Sequence, residues 1–568
     1  MNSPSRGDMA GQSQKWMILA ATMWIQAFTG TNFDFSSYSS TLKSVLGISQ
    51  VELNYLSVAS DMGKAFGWCS GVSLLYFPVW VVMAMSAFIG LVGYGVQWLV
   101  IKQIISLPYV LVFVLCLLAG CSICWFNTVC YVLCIRNFPS SRAFALSLSI
   151  SFNGVSAALY TLVANAINPS DDTLFLFLNS IVPLFVAGVA LTPVLRNPPM
   201  QLLQPDTAQH DSRTFLLLNA VAVLTGLYLL LLNPLSHVVA RARILLGGTI
   251  VLLLLPFCIP GIVWAREWAK QAGRSGIWSA FGVVEVDDLE LHEELIGSEL
   301  AWPNDAVTGN GRGISSRDGG GWCCFVMEKD LLTVLGEEHQ VPLLVSRWDF
   351  WLYYVAYFCG GTIGLVYSNN LGQISQSLGF ESKTSEFVAL YSSCSFFGRL
   401  LSAAPDFLRD RLYFARTGWL AMALVPTPIA FLILVMSGSE MALRMGTALI
   451  GLSSGFIFTA AISITSELFG PNSAGINHNI LITNIPIGSL LYGLLAALVY
   501  DSAVEGSVDS HQALGDTMVC MGRKCYRTTF VWWACISMIG VVSNFLLFLR
   551  TKPAYDRFER NRDQTQHT

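Results

Sequence analysis

Hydrophobic residues gather in long runs along this chain, and short polar stretches separate the runs. A bilayer-spanning helix needs roughly 20 mainly apolar residues, and fourteen windows of about that length can be marked. They cover residues 15–39, 51–76, 78–101, 108–135, 142–167, 173–195, 214–234, 241–264, 348–370, 385–404, 412–437, 441–466, 474–500 and 527–550. The pattern predicts an all-α polytopic membrane protein with about fourteen transmembrane helices.

Composition agrees with a lipid bilayer as the main surroundings of the chain. Hydrophobic residues make up 54% and charged residues 12%, and the mean hydropathy is +0.57. A soluble globular domain does not have such a composition. The net charge of −4 and the lack of a Lys/Arg run argue against a nucleic-acid partner. The polar start "MNSPSRGDMAGQSQKW" is not expected to be a cleaved signal peptide.

Lys and Arg concentrate on one side of the predicted membrane. Short loops rich in these residues stay in the cytosol. The side that includes both termini holds fourteen of them, and the other side holds eight. The fourteen are Arg6, Lys15, Arg136, Arg142, Arg196, Arg213, Arg409, Arg411, Arg416, Arg550, Lys552, Arg557, Arg560 and Arg562. The sequence therefore predicts cytosolic termini, in the plasma membrane or an endomembrane.

An internal repeat relates the two halves of the chain. Adding 331 takes Gly30, Thr31, Gly120, Ser122, Phe138 and Ala143 to Gly361, Thr362, Gly451, Ser453, Phe469 and Ala474. Adding 335 takes Ser57, Ser60, Gly63 and Lys64 to Ser392, Ser395, Gly398 and Arg399. Two extra spans between the halves leave both in the same orientation, which is the arrangement of major facilitator transporters.

The domain boundaries follow from this arrangement. We expect a six-helix bundle over 1–210, two additional helices over 211–265, and a second six-helix bundle over 348–550. Residues 266–347 contain the acidic stretch "EVDDLELHEEL" and the glycine-rich "GNGRGISSRDGGGW", which predict a flexible cytosolic loop. Residues 551–568 are predicted to be a cytosolic tail.

Three segments resemble the plant nodulin-like proteins of the major facilitator superfamily. They are "GTNFDFSSYSSTLKSVLGISQVELNYLSVASDMG", "FNTVCYVLCIRNFPSSRA" and "NNLGQISQSLGF", and the likeness covers most of the chain. The second half of that group is similar to oxalate/formate-type antiporters and monocarboxylate carriers. The resemblance implies a multispanning transporter and no enzyme.

The chain departs from the superfamily at the short basic loop after the second helix, which usually reads G-x-x-x-D-R-x-G-R-R. In the first half, Gly63 and Lys64 are followed by "AFGWCSGVSLLYFPVW", without a basic cluster. The second half keeps more of the pattern, in "GRLLSAAPDFLRDR". Its gate candidates are Gly398, Asp406, Arg409 and Arg411.

Few ionisable residues lie inside the predicted spans, where each costs about 2.5–3.5 kcal/mol on insertion scales. Asp61 and Lys64 are three residues apart, so they either neutralise each other or handle substrate and protons. Asp34, in the outer part of the first span, is expected to be solvated more easily. Arg399 either binds a carboxylate in a central cavity or anchors the end of its helix.

Amide side chains form a second group of substrate-pathway candidates. Asn369, Asn370 and Gln373 end the first helix of the second half, where they either face an outer vestibule or cap the helix. Asn32, Asn127 and Asn484 have the same two interpretations, since amides also bond helices together in membranes.

Most of the fourteen cysteines are scattered in apolar spans and predict packing. Cys520 and Cys525 in "CMGRKC" are the exception, because their loop is predicted on the side where disulfides persist. No cysteine or histidine spacing indicates a metal site, and no cofactor is expected.

The sequence predicts a secondary active transporter that moves a small polar or anionic solute by alternating access, coupled to protons or to exchange. The alternative is a membrane receptor, scaffold or fusion-related protein that keeps the fold without transport. The missing basic loop of the first half favours the alternative, and the polar residues within the spans favour transport.

Overall fold

The structure is a computed structural model that describes residues 6–138, 141–195, 208–236, 238–274, 332, 334–408, 413–470, 473–505, 512–514 and 517–566. Most of the predicted 266–347 loop therefore lies outside the described residues. The first part of the chain contains helices α1 Arg6–Thr29, α2 Phe35–Leu46, α3 Gln50–Ala65, α4 Gly67–Tyr76, α5 Val79–Ile101, α6 Tyr109–Asn137, α7 Arg142–Asn153, α8 Ser156–Ile167, α9 Leu174–Leu195, α10 Ala208–Leu232 and α11 Val239–Arg274.

The second part of the chain is also helical, apart from one small hairpin. It contains α12 Val341–Ser346, α13 Trp348–Tyr357, α14 Ile363–Ser377, α15 Thr384–Leu401, α16 Ala404–Leu408, α17 Arg416–Leu424, α18 Pro426–Met436, α19 Glu440–Phe469, α20 Ala474–Ile482, α21 Asn484–Glu505 and α22 Lys524–Gln566. Strands β1 Gln512–Leu514 and β2 Thr517–Val519 pair antiparallel between α21 and α22.

Eleven helices among the described residues are long and apolar enough to cross a membrane. The all-α, multi-spanning class is confirmed, whereas the count of fourteen stays a prediction. The three windows without a counterpart among the eleven are 15–39, 51–76 and 385–404. Two of them carry Asp61, Lys64 and Arg399, whose side chains pack against protein, and such positions lower the hydropathy of a helix.

Contacts of glycines show that equivalent helices of the two repeats pack in the same way. A side chain at Gly63 would overlap the carbonyl oxygen of Leu117, and one at Gly398 would overlap that of Leu452. Residues 63 and 398, like residues 117 and 452, differ by 335, the spacing found in the sequence. Close glycine-mediated approach of helices is common in membranes.

A second pair of glycines corrects the predicted alignment of the fourth helix of each half. Gly120 lies against the backbone of Ser60, and Gly455 lies against the backbone of Ser395. The counterpart of Gly120 is therefore Gly455 and not Gly451, so the spacing of 331 was wrong here. The sequence was misleading because both spacings bring a glycine into register.

Replacing Gly120 or Gly455 by Ala is expected to destabilise the protein by about 1–3 kcal/mol, because the new methyl group would overlap backbone atoms. Gly188→Ala is the matched control, since no atom lies within 4 Å of the added methyl position. Thermal unfolding of the purified full chain in detergent measures the effect. Equal unfolding temperatures for Gly120→Ala and Gly188→Ala would contradict the packing.

The additional helices α10 and α11 lie beside the seam between the two halves. Helix α11 packs along α1 and α8, and the indole nitrogen of Trp24 donates to the carbonyl of Leu253 at 2.6 Å. Helix α10 contacts α7 of the first half and α15 of the second, where Gly226 lies against the ring of Phe396. The pair thus contacts both halves.

The two ends of the helical bundle differ in their contacts. The terminus end contains Trp16 packed on Phe138, together with the buried ion pair of Asp349 and Arg550. The opposite end, called the far end below, contains Lys43 over the ring of Tyr500 and a backbone bond from Gly522 to Ser377. The polar side chains of interest lie between these ends.

Candidate functional site

Arg399 is a buried cation at the seam between the halves. Its side chain is 6% exposed, and one terminal nitrogen donates to the carbonyl of Ile150 on α7 at 3.1 Å. Its Nε has no hydrogen-bond partner. No carboxylate of the described residues lies within 4.0 Å of the guanidinium. An uncompensated charge in this position is a strong signal of a functional site.

Aromatic rings surround this guanidinium. The ring centroid of Phe33 lies 5.7 Å from it. Tyr131, Tyr357 and Tyr391 lie close enough to interact with its charge, and the hydroxyl of Tyr391 donates to the carbonyl of Gly364 at 3.1 Å. A guanidinium beside aromatic faces can take a carboxylate in a bidentate pair while the rings contact an apolar body.

Lys64 occupies the equivalent position of the first half, but unlike Arg399 it has a carboxylate partner. Its ammonium nitrogen lies 2.5 Å from Oδ1 of Asp61. Asp61 is 1% exposed and Lys64 is 12% exposed. The two residues therefore neutralise each other within one helix, which is the first of the two interpretations of the sequence, and Lys64 does not provide a second free cation opposite Arg399.

The second carboxylate oxygen of Asp61 reaches across the seam. It accepts a hydrogen bond from Nδ2 of Asn369 on α14 at 3.3 Å and another from the hydroxyl of Ser489 on α21. Charge-assisted hydrogen bonds of this kind are among the stronger polar contacts. Asp61 thus joins both halves of the molecule.

The amides of "NNLGQISQSLGF" have separate roles in the structure. Nε2 of Gln373 donates to the hydroxyl of Ser39 on α2 at 2.9 Å, across the seam. Asn370 bonds back to the carbonyl of Val366 in its own helix at 2.9 Å. Gln373 is 2% and Asn370 is 4% exposed, so these two do not face an open vestibule. They are buried because α2 packs directly on α14 in the closed far end.

The other predicted amides lie apart from this group. Asn484 accepts from the hydroxyl of Thr362 at 3.1 Å and donates to the carbonyl of Tyr354 at 3.4 Å, all within the second half. The side-chain oxygen of Asn127 is buried without a partner. Asn32 is half-buried in the turn between α1 and α2. The role of Asn484 is therefore to bond helices together.

The burial of Asp34 differs from the prediction. It was expected to be solvated in the outer part of the first span, but its side chain is 0% exposed. Helix α1 ends at Thr29, and a turn over Thr31–Asp34 directs the carboxyl group into the first bundle. The hydropathy of the window gives no sign of this break.

The predicted gate residues are only partly described. Gly63 and Gly398 act in helix packing, as shown above. Asp406 lies in α16. Arg409 and Arg411 lie outside the described residues, so the gate of the second half stays a prediction.

A small crevice with about 20 Å³ of space accessible to water lies beside the residues that bond Arg399. Its walls belong to both halves, and Ile150 and Ser402 at its inner side also bond Arg399 and its backbone. The lining residues are Leu146, Ser147, Ile150, Ser402, Ala403, Arg416, Thr459, Ile462 and Ser463. Sequence reasoning missed the serines here, because isolated serines also occur throughout helices that only pack.

The far end is closed by a short loop. Cys520 and Cys525 are bonded to each other, and the backbone nitrogen of Cys520 donates to the hydroxyl of Tyr500 at 3.0 Å. Lys43 of the first half lies over the ring of Tyr500, with 5.2 Å between the ammonium and the ring centroid. The loop therefore positions a ring that contacts the first half.

Acidic groups from both halves also meet at this end. The pKa of Asp172 is raised to about 6, because protein atoms bury part of the carboxyl and because Asp171 and Glu381 add negative charge. Above that pH, ionised Asp172 repels Asp171 and Glu381. As the pH falls through this value Asp172 is protonated, and the repulsion decreases. Acidic solution therefore favours closure of this contact.

We expect that the Cys520–Cys525 bond exists in the mature protein. Peptide mapping without reductant should find the two cysteines in one cross-linked fragment, and Cys258 and Cys535, which are exposed and free, should be alkylated in the same sample. Alkylation of both Cys520 and Cys525 would contradict the bond.

Comparisons with known proteins agree with the two halves. Residues 15–261 match the Nodulin-like family, and residues 333–556 match the family described as NFD4, C-terminal domain. The chain is 55% identical over 564 residues to Protein NUCLEAR FUSION DEFECTIVE 4 of Arabidopsis thaliana, which covers 98% of this chain and 92% of the relative. It is 29% identical over 194 residues to Probable transporter MCH1 of Yarrowia lipolytica, covering 33% of this chain and 38% of that one.

A solved structure shows the same fold. The peptide transporter POT in complex with sulfate superposes with a TM-score of 0.53 at 13% identity, covering 96% of this chain and 95% of that one. The major facilitator fold predicted from the repeat is therefore confirmed. From the full-length similarity and the two matching segments, we conclude that this chain belongs to the nodulin-like family of Nuclear Fusion Defective 4 proteins.

Proposed function

We propose that this protein is a secondary active transporter that moves a small anionic solute by alternating access. The observation that carries this proposal is the charge of Arg399. The guanidinium is buried at the seam between the halves, its Nε has no partner, and no described carboxylate neutralises it. A bound anion would supply the missing negative charge.

The contacts at the two ends support alternating access. At the far end, Ser39 with Gln373 and Ser36 with the carbonyl of Ser368 bond the halves together. At the terminus end, the rings of Phe144 and Phe407 also join the halves, and a small crevice lies beside Ile150 and Ser402, which bond Arg399. Breaking the contacts of one end while keeping those of the other would expose Arg399 to one side at a time.

The surroundings of Arg399 favour a small carboxylate as substrate. A single guanidinium matches one carboxylate, and Phe33 and the nearby tyrosines provide apolar contact for the remainder of the molecule. The word "transporter" in the names of the fungal relatives and of the superposed structure supports the same class. Coupling to protons or to exchange would supply the energy.

A receptor, scaffold or fusion-related protein on the same fold is the second candidate. The neutralised Lys64–Asp61 pair favours it, because the first half then offers no free cation at this level. The name of the Arabidopsis relative refers to nuclear fusion and not to a solute. The two candidates differ in one measurable property, which is solute movement across a membrane.

Uptake by reconstituted vesicles tests the proposal. Vesicles that contain the purified full chain are given labelled pyruvate, oxalate, malate, an amino acid or a divalent metal ion, and protein-free vesicles are the control. We expect saturable uptake of at least one carboxylate and none of the metal ion. Uptake equal to the control for every carboxylate would contradict transport and favour the second candidate.

We further propose cytosolic termini and a cytosolic loop over residues 266–347, from the distribution of Lys and Arg. A cysteine introduced at Asn310, which lies outside the described residues, should react with an impermeant thiol reagent only after the cytosolic face is opened. The free background cysteines are replaced first. For a plasma-membrane form, labelling of intact cells from outside would contradict this orientation.

A further inference from the structure

The first span contains a buried carboxyl group with no counter-charge. Asp34 ends the short turn Thr31–Asp34 between α1 and α2, and its side chain is 0% exposed. Neither of its oxygens forms a hydrogen bond of normal geometry with a described residue, although the amide of Asn179 is near enough to interact with the carboxyl group. Isolated buried carboxylates are costly, whereas the protonated acid is neutral and tolerated.

Asn179 of α9 lies beside Asp34 and is equally unsatisfied. It is 1% exposed, and neither its amide oxygen nor its amide nitrogen forms a hydrogen bond of normal geometry with a described residue. The two side chains form a buried polar pocket inside the first bundle. A protonated carboxyl could donate to the amide oxygen and accept from the amide nitrogen, which would satisfy both residues.

The groups around this pocket leave the charge of Asp34 unbalanced. Titratable or charged side chains face the turn from α2, α5, α6, α8 and α15, and they are Tyr38, Tyr94, Cys116, Tyr160, Tyr391 and Arg399. The hydroxyl of Tyr94 accepts from Thr31 at 2.7 Å, and that of Tyr160 donates to the carbonyl of Phe28 at 2.9 Å. Arg399 contacts the neighbouring Phe33 and forms no ion pair with Asp34.

Asp61, the other carboxyl at this depth of the first half, differs in this respect. Its charge is balanced by Lys64 at 2.5 Å, and its second oxygen accepts bonds from Asn369 and Ser489. The charge of Asp61 is therefore already balanced by its neighbours. Of the two, Asp34 is the carboxyl whose surroundings fit the neutral acid.

The turn that holds Asp34 also contacts both the anion site and the far end. Phe33 lies over the guanidinium of Arg399, and its ring centroid is 6.1 Å from that of Tyr391. Directly after the turn, Ser36 and Ser39 of α2 make the bonds that close the far end. A change in the charge of Asp34 therefore acts on a segment that contacts the substrate site and the gate.

We propose that Asp34, beside Asn179, is the proton-binding site that couples anion movement to protons. The inference rests on the proposed transport function. Asp34 takes up a proton from the aqueous phase before the anion binds, so that the anion pairs with Arg399 while Asp34 carries no negative charge. The proton leaves to water after the anion is released on the other side.

Infrared difference spectroscopy of the purified full chain tests the proton site without a substrate. We expect the wild type to show the carbonyl band of a protonated carboxylic acid that disappears on titration to alkaline pH. Asp34→Asn should lack this band, and Asp61→Asn should keep it. Asp34→Glu should show a shifted band, and it replaces Asp34→Asn if that variant fails to fold. A band that is unchanged in both Asp34 variants would overturn the proposal.

A transport assay distinguishes failure of this inference from failure of the proposed function. With the carboxylate that the wild type takes up from the panel above, an inward proton gradient should increase wild-type accumulation several-fold. Asp34→Asn should exchange internal for external labelled carboxylate without responding to the gradient. A gradient response equal to the wild type would overturn the role of Asp34 while leaving transport intact. Absence of any carboxylate uptake by the wild type, with the acid band present, would instead contradict the proposed function.

Discussion

Arg399→Gln is expected to lower the apparent affinity of carboxylate uptake strongly while the protein still reaches the membrane. Arg399 is a buried cation without a carboxylate partner among the described residues, and the anion would pair with it in a largely desolvated position. Loss of one partner of a desolvated charge pair costs about 2–5 kcal/mol. The apparent affinity should therefore fall roughly 30- to 4000-fold.

The control for this variant is the matching position of the other half. Lys64 is already neutralised by Asp61, so the double replacement Lys64→Gln and Asp61→Asn removes no net charge. Its apparent affinity for the carboxylate should fall less than that of Arg399→Gln. Uptake of the same carboxylate by Arg399→Gln at the parental affinity would place the site elsewhere.

Asp349→Ala is expected to give the largest loss of stability. The carboxylate lies 2.6 Å from Nε of Arg550, and both side chains are 0% exposed. The replacement removes the carboxylate of Asp349 from the buried guanidinium of Arg550. Breaking such a pair costs about 3–5 kcal/mol, although replacing both members with apolar residues can be neutral. The purified protein should unfold at a distinctly lower temperature in detergent.

The exposed pair of Lys102 and Asp171 provides the comparison. Its atoms are 3.0 Å apart, but the side chains are 36% and 27% exposed. Surface pairs of this kind contribute about 0–1 kcal/mol. Lys102→Ala, which removes this pair and keeps the hydrogen bonds of Asp171 to Thr173, should therefore change the unfolding temperature little. Equal losses for Asp349→Ala and Lys102→Ala would show that burial does not determine the strength of the Asp349–Arg550 pair.

The helical class and the repeat could be predicted from sequence because both depend on local patterns. Apolar runs reveal a span without knowledge of its neighbours. The spacing of 335 paired Lys64 with Arg399 correctly, as the matching glycines Gly63 and Gly398 show. The spacing of 331 failed at Gly120, because glycine recurs every few residues in these helices.

The site itself depends on contacts between distant parts of the chain. Asp61 and Ser489 are 428 positions apart, and Ser39 and Gln373 are 334 apart. No local sequence pattern predicts which face of α14 packs against α2. For the same reason, the sequence could identify Asp34 as unusual but could not show that it is buried in the first bundle.

Cross-linking of the far end tests alternating access most directly. Cysteines at Ser39 and Gln373, whose side chains are 2.9 Å apart, are joined by a short bifunctional thiol reagent after the other free cysteines have been replaced. A monofunctional reagent of the same chemistry is the control. We predict that the cross-linked protein no longer moves labelled carboxylate into vesicles, whereas the singly modified protein does. Equal uptake by both would contradict transport through opening of the far end.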